Sequence, residues 1–412
     1  MTGSAATRAI AADWLRAGPL ARLLAALNRD GEEARVVGGA VRNTLLGLLH
    51  GDIDIATTAL PDEVMRRAES AGFRPVPTGV DHGTVTVVAA GKPFEVTTLR
   101  EDVETFGRKA TVRFGRDWKV DAERRDFTMN ALSLSTDGSV HDYVGGLDDL
   151  RARHVRFIGD AATRIAEDYL RILRLFRFHA RYGEGPIDPS SLGAAIRSRG
   201  GLARLSRERI RAELLKLLAA PGAPAVVAEI DGAGFLLEVL GGVATPATLA
   251  RLVEIEADRG LGSEPMRRLG ALGLFVREDA ARIAERLRLS RAESTRLKGM
   301  AIAGEGLRAP PAPRRARAAL YTLGREGFLD AALLGWARSG DPAWSAALDL
   351  ATSWPIPVRP FSGRQLEAIG LSSGPHLGRV LAKAEQRWVE ADFPDSEAAL
   401  EEILRQAIAA GG

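Results

Sequence analysis

The spacing of apolar and polar positions changes along this chain, and the change divides it. "ARVVGG" is a short apolar run closed by two glycines, and "DIDIAT" alternates with period two. Both predict strands, because successive strand side chains face opposite sides. Between them "AVRNTLLGLL" spaces Val41, Leu45 and Leu48/Leu49 as a helix does. "PDEVMRRAESAG" predicts a helix with proline at its start and glycine at its end. "GTVTVVAAG" and "PFEVTTL" predict two strands joined by a Gly-Lys turn, and "MNALSLS" a short strand or helix end near residue 130.

After about residue 150 the strand signals vanish. "ATRIAEDYLRILRLFRFHARYG" predicts one strong helix, with Ile165, Tyr169, Ile172 and Phe176 forming a single buried stripe. "SRERIRAELLKLLAA" predicts another. The remainder reads as Ala/Leu/Arg-rich helices, broken most clearly at "RAPPAPRRAR" (308–317) and "SWPIPVRPFSG" (353–363), with no fixed-period repeat. The expectation is a mixed α/β head of about 150 residues followed by an all-helical body.

Composition adds bounds. With 412 residues, 46% of them hydrophobic, the chain has material for two to four packed units. The absence of cysteine excludes disulfides and cysteine-ligated zinc, and is compatible with a reducing cytosol. "MTGSAATRAIAADWLRAGPLARLLAAL" reads as an amphipathic helix rather than a signal peptide. No window approaches the roughly 20 apolar residues of a membrane span. Net charge is only +3, yet residues 151–220 carry 15 Lys/Arg against 7 Asp/Glu, leaving the rest at −5. Such a basic segment suits a polyanion, although on charge alone a solvated arginine-rich face is the favoured reading.

Three groups of residues carry chemistry. Gly38 and Gly39 stand between a strand and a helix bearing Arg42, where backbone N–H groups can approach a phosphate. Asp52 and Asp54 follow, two apart on a strand and so on one face, which suits hard divalent cations. Glu95 in "PFEVTT" is the candidate third carboxylate, against the alternative of an edge-strand glutamate facing water; Asp102 is the runner-up. The second group, "ERRDFTMNAL", brings Arg124, Arg125, Asp126 and Asn130 into one turn, either to hold phosphates and ribose hydroxyls or simply to cap a helix. The third is Asp168 and Arg171, three apart on the long helix. An ordinary intrahelical ion pair is one reading. The other is a donor–acceptor edge matching the amino group and ring acceptor that cytosine and adenine share, and that guanine and uracil present reversed.

Taken together, "GGAVRNTLLG", "DIDIAT", "HGTVTV", "FEVTTLRED", "RRDFTMNAL", "DYVGGLDDL", "EDYLRILRLFRFHARYG" and "LSRERIRAELLKLL" resemble, in order, the bacterial-type CCA-adding enzyme and poly(A) polymerase family, within the polymerase-beta nucleotidyltransferase superfamily. The resemblance implies an α+β fold: a polymerase-beta-like head with a mixed sheet over residues 1–150, then an all-helical neck (151–220), body (221–352) and tail (353–412), the tail reaching the tRNA. It implies Asp52 and Asp54 as Mg2+ ligands with Glu95 as third carboxylate, and Gly38, Gly39 and Arg42 at the triphosphate. Arg125, Asp126 and Asn130 would meet the ribose end. Glu167, Asp168 and Arg171 would select the base, with Arg174 nearby. Asp142 would shape the hinge between head and neck. Arg204, Glu208 and Arg209 would brace the neck. The sequence departs from the family pattern at Asn43, usually aspartate, and at Phe106, which precedes Arg108 where the loop linked to the switch from C to A usually carries an acid.

The activity implied is addition of C, C and A to the tRNA 3′ end from CTP and ATP, releasing pyrophosphate, in the cytoplasm, with no membrane and no protein partner. Poly(A), CC-adding or A-adding enzymes share the motifs. An RNA-binding protein with an inactive head is disfavoured by intact Asp52 and Asp54, and a small-molecule nucleotidyltransferase by the large basic helical part. No paired His-Asp phosphohydrolase signature follows the body, so no hydrolase activity is expected.

Overall fold

The computed structural model describes residues 6–10, 12–106, 109–368, 371 and 374–410, without the side chains of 6–9 and 102–112. Asp102 and Phe106 therefore lie, as side chains, outside the described residues. The strands are β1 (Ala6–Ala9), β2 (Ala34–Val37), β3 (Asp54–Thr57), β4 (Arg74–Gly79), β5 (Thr84–Ala89), β6 (Lys92–Thr98), β7 (Arg100–Phe106), β8 (Lys109–Phe114), β9 (Ser133–Leu134) and β10 (Ser139–Asp142). Eight form one sheet in the order β1-β10-β9-β2-β3-β6-β5-β4, and β7 pairs with β8 alone. The sheet is mixed, as expected, because β3 and β6 run parallel while its other pairs are antiparallel.

The helices of the first part are α1 (Asp13–Arg16), α2 (Gly18–Leu27), α3 (Gly39–Leu45), α4 (Pro61–Ser70), α5 (Trp118–Glu123), α6 (Gly146–Arg151), α7 (Ala161–Glu167), α8 (Leu170–Tyr182), α9 (Pro189–Arg197) and α10 (Arg207–Leu218). Beyond them follow α11 (Ala223–Gly232), α12 (Phe235–Leu240), α13 (Pro246–Asp258), α14 (Pro265–Gly273), α15 (Arg277–Leu287), α16 (Arg291–Gly306), α17 (Pro313–Ser339), α18 (Trp344–Ser353), α19 (Gly363–Ala368), α20 (Pro375–Glu390) and α21 (Glu397–Ala409). No strand lies beyond β10 among the described residues. None of the helices there is long and apolar enough to cross a membrane.

The chain forms two units, Met1–Glu238 and Val239–Gly412. Head and neck motifs thus share the first unit, whose core includes Leu23, Val36, Val87, Phe127 and Phe176. In the second unit Trp344 and Phe328 are fully buried, and buried Glu256 accepts from Arg267 (3.0 Å) and Arg268 (2.8 Å). A separate cluster there gathers Phe361, Val380 and Trp388.

Four local expectations are corrected. The N-terminal stretch is a short strand followed by two helices, broken where Gly18 takes φ +68°. Helix α3 stops at Leu45, where Gly47 at φ +69° lets the Leu48 N–H reach back to the Asn43 carbonyl (2.8 Å), a glycine-terminated helix end. Leu49 is consequently 90% exposed rather than part of a helical stripe. Asp52 precedes β3 instead of lying on it. The expected single helix over 161–182 is two helices, α7 and α8, parted at Asp168 and Tyr169, with Asp168 extended at φ −155°, ψ 109°.

Candidate active site

The parallel register of β3 and β6 sets Asp54 beside Glu95. Ile55, Phe94 and Val96 are buried, while Asp54 and Glu95 are exposed. The two carboxylates therefore share the uncovered face of the sheet, on strands about 4.8 Å apart. Glu95 also pairs with Thr86 on β5, so it lies on an interior strand and the edge-strand reading fails. Asp52 stands two residues earlier, just past Gly51 at φ +66°. None of these three side chains makes a hydrogen bond or ion pair among the described residues. Asp54 keeps accessible surface yet sits low among neighbouring atoms. Loss of surrounding water, then the nearby charge of Glu95 and, less, Asp52, raise its carboxyl above the ordinary value, against the opposing pull of Arg125. Among the described residues no three acids or histidines are already gathered closely enough to hold an ion. The donor chemistry nonetheless fits a hard divalent cation: oxygen ligands, mutually repelling, with no hydrogen-bonded counter-charge.

Gly38 turns the chain from β2 into α3 at φ +67°, ψ −124°, a conformation that disfavours other residues. A Cβ there would sit 3.5 Å from Arg125 Nη1, so that guanidinium lies against the turn. Arg125 is steadied by Asp121, whose carboxylate accepts from both Arg124 (2.6 Å) and Arg125 (3.1 Å). The signal for Asp121 in the sequence is an acid three and four residues before two arginines, which here follow the end of α5.

Arg42 points inward. Only 6% exposed, it donates to Asn43 Oδ1, to Asn130 Oδ1 (2.6 Å) and to the Tyr182 hydroxyl (2.7 Å), and stacks 4.0 Å over the Tyr182 ring. It packs against the glycine turn, its Nη2 3.6 Å from where a Cβ on Gly39 would stand. Asn43 Oδ1 accepts from the arginine as an aspartate oxygen would, and the Asn43 side-chain Nδ2 donates to the Leu49 carbonyl (3.0 Å). Asn130 and Asp126 are likewise drawn inward. Asn130 donates to Asp126 (2.9 Å), and Asp126 accepts two bonds from Arg174 of α8, Nε at 2.9 Å. Burial alone would raise Asp126, but Arg174 and the hydrogen bonds from Asn130 and Arg174 outweigh it and hold the carboxyl low. The line Arg174–Asp126–Asn130–Arg42 therefore ties the "RRDFTMN" turn to α8.

The Asp168–Arg171 side-chain pair does not form. Asp168 accepts two bonds from Arg209 of α10 (3.2 and 2.6 Å) and caps the restarted helix through the Leu170 N–H (3.1 Å). Arg171 pairs with Glu167 and donates to the Arg164 carbonyl (2.8 Å), both through Nη1. The two still share a turn, since the Arg171 N–H reaches the Asp168 carbonyl at 3.0 Å. Arg209 thus joins α10 to Asp168, and the Arg204 guanidinium carbon lies 5.4 Å from the Tyr169 ring centroid. Buried Glu213 of α10 accepts from Arg177 and was not anticipated. Glu208, on the first turn of α10, is exposed. The Asp142 carboxylate accepts the backbone N–H groups of Val144, Gly145, Gly146 and Leu147 at 2.9–3.1 Å, fixing the start of α6.

A mixed sheet bearing paired carboxylates, beside a glycine turn and an arginine-rich neck, defines a nucleotidyltransferase of the polymerase-beta type. Residues 34–156 match the family model of the poly A polymerase head domain. The chain is 36% identical over 392 residues to the mitochondrial CCA tRNA nucleotidyltransferase 1 of Danio rerio, covering 91% of this chain and 87% of that one. It is 45% identical over 199 residues to the CCA-adding enzyme of Geobacillus thermodenitrificans, about half of each chain. The Bacillus stearothermophilus CCA-adding enzyme, solved in complex with CTP, superposes with a TM-score of 0.75 at 28% identity, covering 94% of this chain and 96% of that one. The Thermotoga maritima CCA-adding enzyme complexed with tRNA shares the fold, at TM-score 0.71, 21% identity and 97% and 99% coverage. The chain belongs to the CCA tRNA nucleotidyltransferase family.

Proposed function

We propose that the chain adds C, C and A to the 3′ end of tRNA without a nucleic-acid template, with Mg2+ held by Asp52 and Asp54 and Glu95 completing the acidic site. The hydroxyl oxygen at the tRNA end forms a bond to the α-phosphorus of CTP, twice, and then of ATP; the bond from that phosphorus to the β-phosphate oxygen breaks and pyrophosphate leaves. Magnesium at this site supplies positive charge to the phosphate oxygens and lowers the pKa of the attacking hydroxyl. The observation carrying this reading is the side-by-side register of Asp54 and Glu95, unpaired and repelling on an uncovered face.

Around that centre, Gly39 presents its backbone N–H to the triphosphate, and Gly38, whose own N–H donates to the Leu132 carbonyl (3.2 Å), shapes the turn that meets it, with Arg125 at the turn as its cation. Arg42, Asp126, Asn130 and Arg174 hold this cradle and the ribose end in place from behind. Asp168 and Arg171 read the base: among the described residues Arg171 donates only through Nη1, leaving Nε and Nη2 for the ring acceptor, and Asp168 has lone pairs left for the exocyclic amino group. Glu167 and Arg209 keep the two groups oriented, with Arg204 and Glu208 supporting the neck. The basic neck, body and tail hold tRNA phosphates, and the compartment proposed is the cytoplasm. The test is incorporation of labelled CTP and ATP by Asp52→Asn and Asp54→Asn across a Mg2+ titration. Both variants are expected to lose incorporation of both nucleotides while still binding tRNA; near-normal turnover in either overturns the assignment.

A further inference from the structure

Arg42 is a buried guanidinium held entirely by neutral oxygens. Among the described residues it forms no ion pair. Its acceptors are Asn43 Oδ1, at 3.1 and 2.9 Å, Asn130 Oδ1 at 2.6 Å and the Tyr182 hydroxyl at 2.7 Å. Burial disfavours its charge, Tyr182 and Asp126 favour it, and Arg177 and Arg174 oppose it. Tyr182, itself 8% exposed, contributes twice: a lone pair to Nη2 and a ring face 4.0 Å from the guanidinium carbon. The same Nη2 lies 3.6 Å from where a Cβ on Gly39 would stand. The atom that Tyr182 holds is thus the one packed beneath the glycine turn, whose Gly38 carbonyl also accepts the Arg42 backbone N–H (3.1 Å).

Tyr182 ends α8, and Arg171 and Arg174 lie on its first turns. Arg174 enters the same network through Asp126 and Asn130. The same helix therefore reaches Arg42 directly through Tyr182 and indirectly, by way of Asp126 and Asn130, from Arg174, eight residues or about 12 Å back along its axis.

We infer that Tyr182 is a positioning residue for nucleotide binding, fixing through Arg42 the Gly38–Gly39 turn that meets the triphosphate. The inference rests on the proposal that this turn contacts the nucleotide. Tyr182→Phe keeps the ring and removes one neutral acceptor from a buried cation. Losing a hydrogen bond to a charged group is expected to raise KM for CTP and ATP alike by about five- to tenfold, with kcat and the KM for tRNA within about twofold. Asn43→Asp puts a carboxylate where Arg42 already donates twice. In the double variant it restores the nucleotide KM to near wild type. Asn43→Asp alone reads the cost of losing the bond to the Leu49 carbonyl.

Steady-state kinetics of the full-length enzyme, with Tm for each variant, make the test. Unchanged nucleotide KM in Tyr182→Phe overturns the inference. So does a fall in kcat and Tm alone, and so does a double variant that melts like wild type yet keeps the raised KM. Gly38→Ala separates the underlying reading: if it leaves nucleotide KM unchanged, the cradle assignment fails; if it raises KM while Tyr182→Phe does not, only the positioning role fails.

Discussion

Asp54 and Glu95 are neighbours across a parallel strand pair, on the same uncovered face, and among the described residues neither carboxylate forms an ion pair. A fold that keeps two carboxylates so close gives up stability at neutral pH. Asp54 is raised in the folded chain, so its contribution is present below the ordinary Asp value of 3.8 and is lost as pH rises through the folded value. Asp54→Asn should therefore raise Tm at neutral pH in EDTA, and the gain should vanish below pH 3.8. Adding Mg2+ should raise the wild-type Tm and leave Asp54→Asn nearly unmoved. Calorimetry across pH with and without the ion checks both.

Asp126 shows the opposite sign. Its folded value is held low, so its stabilisation is present above 3.8 and is lost as pH falls through that lower value. Arg174→Ala leaves this mostly buried carboxylate with only the Asn130 and Phe127 N–H groups and should cost about 3 kcal/mol. Urea unfolding at neutral pH measures the loss, and the deficit should shrink in acid. An Arg174→Ala protein as stable as wild type would show that Asp126 finds another partner.

Selection by Asp168 and Arg171 makes a distinct forecast. A mismatched base leaves a polar group unpaired, about 1–3 kcal/mol or roughly ten- to a hundredfold per hydrogen bond. Truncating either residue should admit UTP and GTP relative to CTP and ATP. Arg209→Ala, which releases Asp168 from α10, should loosen selection less. Ratios of kcat/KM for the four nucleotides decide it. Slower variants with unchanged ratios would mean these residues serve only the neck.

These residues also show what the sequence made legible. Val36, Ile55, Val85, Val87 and Val96 announce β2, β3, β5 and β6 through period and burial, and those strands carry the acidic site. Strands β4, β7, β8 and β10 lack that clean pattern and were not anticipated. The break at Asp168 escaped notice because Ile165, Ile172 and Phe176 stay in phase across it, so the buried stripe hides the interruption. The local clue was the aspartate itself, whose side chain competes for a backbone N–H two residues on. The partners of Arg42 were out of reach, since Asn130 and Tyr182 lie 88 and 140 residues away. Only tertiary packing turns an exposed-looking arginine into a buried brace.

Binding of tRNA through the basic neck and helical part should weaken steeply with salt, because each neutralised phosphate releases condensed counterions. Each arginine removed from a phosphate contact should lower the slope of log K against log salt by about one unit. Fluorescence anisotropy with labelled tRNA between low and physiological salt measures that slope. A flat response would contradict phosphate-dominated binding.

The central claim is tested most directly by product length on a tRNA lacking its CCA end, incubated with Mg2+ and nucleotides singly and together. The account predicts two added residues with CTP alone, three with CTP and ATP, and none with UTP or GTP. A stop at two residues with both nucleotides present, or a long A tract with ATP, would contradict it.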